Sequence, residues 1–129
     1  MGLGTKNLIV VDDEPDLKFL FTHYFEKQIS SEQLTFTFCS TANECLMQLK
    51  LLQGQTLVIS DINMPETSGL ELMRDINQEF PLVKVMLTSA YEREKFEKCL
   101  EKYDAVGFVS KPIDFNALRD QVITQLDIS

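Results

Sequence analysis

One stretch, Leu57-Val58-Ile59-Ser60-Asp61-Ile62-Asn63-Met64-Pro65, constrains the fold more than any other part of the chain. Its unbroken apolar run is of the kind that buries both faces of a central strand in a parallel sheet. The run stops at a carboxylate, Asp61, and Pro65 and Gly69 then turn the chain. A charged side chain directly after a buried run lies at the carboxyl end of its strand, and in open parallel sheets ligands bind at that edge. Taken alone, Asp61 reads equally well as a ligand-binding carboxylate or, more blandly, as a polar loop starter or the N-cap of the next turn. Three other strand signals in the chain end in the same kind of chemistry.

In order, Asn7 to Val11 predicts a first strand, closed by Asp12-Asp13-Glu14. Pro15 suits the first turn of a helix whose apolar stripe is Leu17, Leu20, Phe21, Tyr24 and Phe25. Leu34 to Phe38 alternates as a half-exposed edge strand does. Thr41 with Glu44 forms a capping-box pattern ahead of a second stripe of Ala42, Cys45, Leu46, Leu49 and Leu52, which Gly54 ends. After the Asp61 strand, Ser68 with Glu71 repeats that pattern, and Leu72, Met73, Ile76 and Phe80 carry a third helix up to Pro81. Leu82 to Leu87 predicts a fourth strand ending in Thr88-Ser89, followed by a helix with Phe96, Cys99, Leu100 and Tyr103 on its apolar side. Val106 to Val109 predicts a short fifth strand ending in Ser110-Lys111-Pro112, and Leu118, Val122 and Leu126 mark a fifth helix running to the end. Five strand–helix units in succession imply an α/β fold, a doubly wound five-stranded parallel sheet with helices on both faces. The 129 residues suit one domain, assigned to 6–129, with residues 1–5 as a disordered leader.

Composition excludes several classes. No apolar run approaches the roughly 18 residues of a membrane span, and a net charge of −8 argues against nucleic-acid binding by this domain alone. The cysteines, Cys39, Cys45 and Cys99, are odd in number and lack a CxxC spacing. They read as reduced, buried thiols of a cytoplasmic protein, not as a zinc site or a disulfide frame. His23 lies within the first helix, far from the strand ends, and reads as a surface or boundary residue. Met47, Met64, Met73 and Met86 read as packing, and Glu92-Arg93-Glu94-Lys95 as a solvated helix face.

Together the strand ends carry a chemistry. They deliver Asp12 and Asp13, then Asp61, then Thr88, then Lys111, and a doubly wound sheet sets these ends side by side. Converging carboxylates need a cation, and hard oxygen ligands without His or Cys favour magnesium. Lys111 adds a point charge and Thr88 a hydroxyl. Such a set suits phosphoryl transfer to a carboxylate nucleophile, which is catalysed by positioning and electrostatics.

With these residues in view, the chain resembles the receiver domain of two-component response regulators from about Lys6 to Leu126. The resemblance rests on Val10-Val11-Asp12-Asp13-Glu14-Pro15, on Asp61-Ile62-Asn63-Met64-Pro65-Glu66-Thr67-Ser68-Gly69, on Leu87-Thr88-Ser89-Ala90 and on Phe108-Val109-Ser110-Lys111-Pro112. It implies a flavodoxin-like fold of strand order 2-1-3-4-5 and Asp61 as phosphoacceptor. It also implies a magnesium ion (Mg2+, with Mn2+ as substitute) held by Asp12, Asp13, Asp61 and the Asn63 backbone carbonyl. Thr88 and Lys111 would contact the phosphoryl group, Thr88 and Phe108 would form the switch, and the bond before Pro112 would be cis. Phe108 stands where the family often has Tyr and carries no hydroxyl. Tyr103-Asp104-Ala105 replaces a small Gly-Ala turn.

The implied role is a signalling domain that catalyses its own phosphorylation and dephosphorylation, and not an enzyme in the usual sense. Its donor would be a histidine kinase or a histidine phosphotransfer protein. Its target would be a downstream protein, a fused output domain, or a second copy in a phosphorylation-dependent homodimer. Three other readings compete. A haloacid-dehalogenase-like phosphatase would want a second Asp where Asn63 stands. A flavodoxin-like binding module would want a hydroxyl- and Gly-rich phosphate loop where Asp12-Asp13-Glu14 stand. A docking-only receiver module would not need all five key residues.

Overall fold

In the computed structural model, which describes residues 5–128, five strands pair in parallel: β1 (Lys6–Val11), β2 (Leu34–Cys39), β3 (Thr56–Asp61), β4 (Lys84–Ser89) and β5 (Gly107–Ser110). Their order is β2-β1-β3-β4-β5, as the resemblance implies. The helices are α1 (Asp16–Tyr24), α2 (Glu26–Ser30), α3 (Ala42–Leu51), α4 (Gly69–Glu79), α5 (Glu97–Lys102) and α6 (Phe115–Leu126), with a 3-10 turn at Arg93–Phe96.

The strands alternate between two cores. Ile9, Val11, Val58, Val85 and Leu87 face one side and pack with Cys45, Leu49, Leu72, Met73, Ile76 and Leu100 of α3, α4 and α5. Leu8, Val10, Leu57, Ile59 and Met86 face the other and pack with Leu17, Phe21, Leu118, Val122 and Leu126 of α1 and α6. This is the period-two pattern of a sheet covered on both faces. All six residues of β3 are buried, as its sequence predicts for the central strand. Both predicted N-caps form: the hydroxyls of Thr41 and Ser68 accept from the N–H groups of Glu44 and Glu71, each at 3.2 Å. Glu44 reaches back to the N–H of Ser40, at 3.3 Å, one residue ahead of the usual box.

Several local expectations are corrected. The first helical segment is two helices: the backbone departs from helix at Phe25, whose side chain stays fully buried, and α2 follows. Leu20 sits about 60° around the helix from Leu17 and is 41% exposed, so it lies at the rim of the stripe. The fourth strand starts at Lys84, two residues later than expected. Leu82 lies in the turn before it and is 92% exposed, because pairing with β3 begins at Leu57–Lys84. The fourth predicted helix is a 3-10 turn and a short α5. Asp104 takes φ 51° in the turn beyond, a conformation Gly would adopt freely. The last helix stops at Leu126 with Asp127 left-handed, φ 53°. Of the predicted leader, residues 1–4 lie outside the described residues. Thr5 is exposed, and its hydroxyl donates to the Glu32 carbonyl at 3.0 Å. No helix among the described residues is long and apolar enough to cross a membrane.

Candidate functional site

Strand register assembles the site. Val11 pairs with Ser60, so Asp12 follows β1 beside Asp61, the last residue of β3. Asp61 pairs with Thr88, and Thr88 with Val109, two residues before Lys111. One carboxylate oxygen from each of Asp12, Asp13 and Asp61 falls within 4.8 Å of the others. Asp12 and Asp61 are buried, whereas Asp13 is exposed at the mouth. Beside it a cavity of about 150 Å³ is lined by Ser40, Thr41, Met64, Pro65 and Thr67.

Lys111 is the cation of this cluster. Its ammonium donates to Asp12 Oδ2 at 3.0 Å and Asp61 Oδ2 at 3.3 Å, and lies 3.8 Å from Glu14 Oε1. Burial opposes its charge, yet the hydrogen bonds and attraction to Asp12 and Asp61 outweigh that, so its affinity for its proton is raised. Asp12 is also raised, chiefly because burial penalises its charge; the Asp61 charge adds to this. The Glu14 N–H, 2.9 Å from Asp12 Oδ1, and Lys111 only partly offset it. The Asp61 carboxylate is held at both oxygens: Oδ1 accepts from the Asn63 N–H at 3.2 Å, and Oδ2 from Lys111.

All of the predicted strand-end residues thus gather at one edge. The Lys111–Pro112 bond is cis, as the resemblance implies. Phe108 lies away from this cluster: it pairs with Leu87 and packs in the α3/α4/α5 core, its ring 6.1 Å from that of Phe96. Two residues had no assigned role from sequence. Glu14 joins the ion pairs of Lys111, a role its place in the acidic run could have signalled. Ser89, fully buried, donates to Asn63 Oδ1 at 3.1 Å and accepts from the Tyr91 N–H at 3.0 Å. No spacing rule links residues 63 and 89, so only the fold reveals that contact.

Known proteins share this frame. Residues 8–123 match the response regulator receiver domain family. The chain is 32% identical over 118 residues to the two-component response regulator ARR11 of Arabidopsis thaliana, covering 91% of this chain and 22% of that protein. It is 28% identical over 124 residues to the response regulator protein PilR of Pseudomonas aeruginosa, covering 96% of this chain and 27% of that one. The chain therefore spans about a quarter of the length of these relatives. Among solved structures, the response regulator protein TrrA of Thermotoga maritima, in complex with Mg2+ and BeF, superposes with a TM-score of 0.74 at 28% identity, over 94% of this chain and 99% of that one. A CheY-like receiver domain protein of Methanospirillum hungatei gives a TM-score of 0.83 at 21% identity, over 96% of this chain and 95% of that one, which bears on the fold alone. With its strand order, acidic cluster and family match in agreement, the chain belongs to the response regulator receiver domains.

Proposed function

We propose that this domain, spanning residues 6–129, accepts a phosphoryl group on Asp61 from a phosphohistidine of a histidine kinase or a histidine phosphotransfer protein. The phosphorus–nitrogen bond breaks, a bond forms from phosphorus to an Asp61 carboxylate oxygen, and the released imidazole takes up a proton. The observation that carries this reading is the Asp61 carboxylate. It is buried at the end of the central strand, bound at one oxygen by a backbone N–H and at the other by Lys111, beside two further carboxylates. That is a nucleophile held in one orientation, where positioning supplies most of the catalysis.

The donor set fits a metal. Three carboxylates within 4.8 Å repel one another, Lys111 is the cation that bridges two of them, and the ligands are all hard oxygens. Asp12, Asp13, Asp61 and the Asn63 backbone carbonyl would hold magnesium, with manganese as a substitute. The magnesium complex of TrrA supports this choice. When bound, the ion supplies positive charge against the phosphoryl oxygens. Lys111 donates to one of those oxygens and the Thr88 hydroxyl to another, and the domain in this way promotes both its own phosphorylation and its hydrolysis.

The signal leaves through partner contacts. A phosphoryl group adds about −1.5 to −2 charge and strong acceptors. Its pull on Thr88 and Lys111 shifts the balance between two arrangements of β4, β5 and Phe108. The recipient is a downstream protein, an output domain fused to this one, or a second copy, and the domain works in the cytoplasm. The donor has a recess of about 500 Å³ to approach, lined by Leu17, Leu20, Ala90, Pro112, Ile113 and Phe115 beside Lys111. Intact-mass measurement after incubation with a small acyl phosphate and magnesium tests the proposal. One phosphoryl group should be gained, base-labile and acid-stable, and lost in Asp61→Asn. Uptake at an unchanged level in Asp61→Asn would overturn it.

A further inference from the structure

The two loops that flank Asp61 are tied together by a side chain to which the phosphoryl chemistry gives no part. Ser89, the last residue of β4, is fully buried, and its hydroxyl is used in both directions. It accepts from the Tyr91 N–H at 3.0 Å, which fixes the start of the loop after β4. It donates to Asn63 Oδ1 at 3.1 Å, across to the loop after β3. Asn63 itself is exposed, so nothing in its own burial holds it in place. Yet its backbone N–H is the donor to Asp61 Oδ1. A second tie, from the Ile62 N–H to the Thr88 carbonyl at 2.9 Å, runs alongside but stops one residue short of Asn63.

We infer that Ser89 is a positioning residue: by gripping the Asn63 side chain it holds the Asn63 backbone, and through it the Asp61 carboxylate, in the orientation that reacts. This rests on Asp61 being the phosphoacceptor and adds a residue that touches neither the phosphoryl group nor the metal. Lys111 cannot substitute, because its long side chain fixes only where Oδ2 finds a charge, not how the carboxylate plane is turned. A rigid backbone N–H one short turn away does fix it. The grip passes through Ser89 Oγ and Asn63 Oδ1, so removing either partner should release the Asn63 backbone alike, while Ser89→Ala in addition frees the Tyr91 N–H in the loop after β4.

A double-mutant cycle tests this with Ser89→Ala, Asn63→Ala and the pair, using a small acyl phosphate as donor. Each single change should slow phosphorylation about fivefold, the equivalent of one ordinary hydrogen bond, and the pair should be no slower than either alone. Without donor or metal, hydrogen exchange at the Asn63 amide should speed up in both single variants while exchange in β1 and β3 stays as in the wild type. A merely structural loss at Ser89 would instead slow the chemistry by the product of the two effects and loosen the strands. Either result overturns the inference, as does a wild-type exchange rate at Asn63 in Ser89→Ala. If Ser89→Ala does not fold, Asn63→Ala decides alone, since its substituted side chain is exposed: wild-type phosphorylation would refute the grip. A wild-type protein that takes up no phosphoryl group would instead refute the reading of Asp61, a separate outcome.

Discussion

Gly69 opens α4, and its N–H donates to the Ile62 carbonyl at 3.0 Å, folding the loop after β3 back onto the end of that strand. An added Cβ would lie 2.9 Å from both the Asp61 carbonyl carbon and Ile62 Cα, and closer still to the Asp61 carbonyl oxygen. Ordinary contact begins at 3.4 Å, so the backbone at Asp61 must yield by about half an ångström or more. Two effects oppose each other in Gly69→Ala. Alanine in a helix is favoured over glycine by about 0.5–1 kcal/mol. Overpacking against atoms that cannot rotate away costs about 1–3 kcal/mol, so the clash wins. The net loss is about 1–2 kcal/mol, which for a chain of 129 residues lowers the melting temperature by about 4–7 °C. The displaced atoms belong to Asp61, the proposed phosphoacceptor. Since an error of 1 Å in a reacting group costs about a hundredfold, phosphorylation by a small acyl phosphate should slow about tenfold. Urea unfolding and intact-mass kinetics measure the two losses separately. A Gly69→Ala variant that is as stable as the wild type and is phosphorylated at the same rate would refute the reasoning.

Other consequences follow from strained or unpaired groups. Asp127 and Glu32 are left-handed, φ 53° and 61°, at helix ends closed by bonds from Ile128 to Ile123 and from Gln33 to Gln28, each 3.0 Å. Because Gly fits this position without strain, Asp127→Gly and Glu32→Gly should each stabilise the fold by about 1 kcal/mol in thermal melts, and a lowered melting point would contradict this. Gln28 is 8% exposed and its Oε1 has no hydrogen-bond partner among the described residues, so Gln28→Met should raise stability by about 1 kcal/mol or more in urea titration; a loss would show that Oε1 is satisfied. Asp12 has its folded pKa raised by burial, so its contribution is favourable below its ordinary value near 3.8 and is lost as pH rises through the folded value. Metal-free Asp12→Asn should therefore gain on the wild type as pH climbs from 3 to 7 and be the more stable at pH 7, while magnesium no longer raises its melting point; a variant less stable at pH 7 would reverse the sign of the argument.

β1, β3 and β4 were legible because each is a buried run, and burial on two faces leaves its mark in composition as well as in order, whereas the half-exposed β2 was legible from its alternation. β3 is the clearest case, and the carboxylates of Asp12 and Asp61 stood out as candidates for the same reason, since each stands at the end of such a run. What sequence could not locate was set by contacts between elements. Leu82 is as apolar as Leu87 but falls outside the register with β3. Phe25 fits a helical stripe, and the chain leaves the helix there while the ring stays in the core. Asp104 and Asp127 occupy turns that composition would assign to glycine. Ser89 reads as a small polar neighbour of Thr88 until the loop carrying Asn63 is brought against it.

In the role proposed for Asp61, a carboxylate faces two demands that conflict: it must be held still, and it must stay free to react. Here the demands fall on different oxygens of Asp61. Oδ1 is bound by a backbone N–H whose loop is anchored at both ends, and such a donor cannot follow a departing or arriving group. Oδ2 is bound by Lys111, whose ammonium sits on a flexible stem and already shares itself with Asp12 and Glu14. A cation of that kind can move with charge as it forms on a phosphoryl group, whereas the amide keeps the plane of the carboxylate fixed. The strand pattern makes this division feasible. Side-chain alternation is demanded only where helices cover the sheet, so residues 12, 61 and 88 at the strand ends are released from packing, and parallel register sets them side by side. The buried charge of Asp12 is the local cost of that arrangement, and the two apolar cores on either face of the sheet carry it.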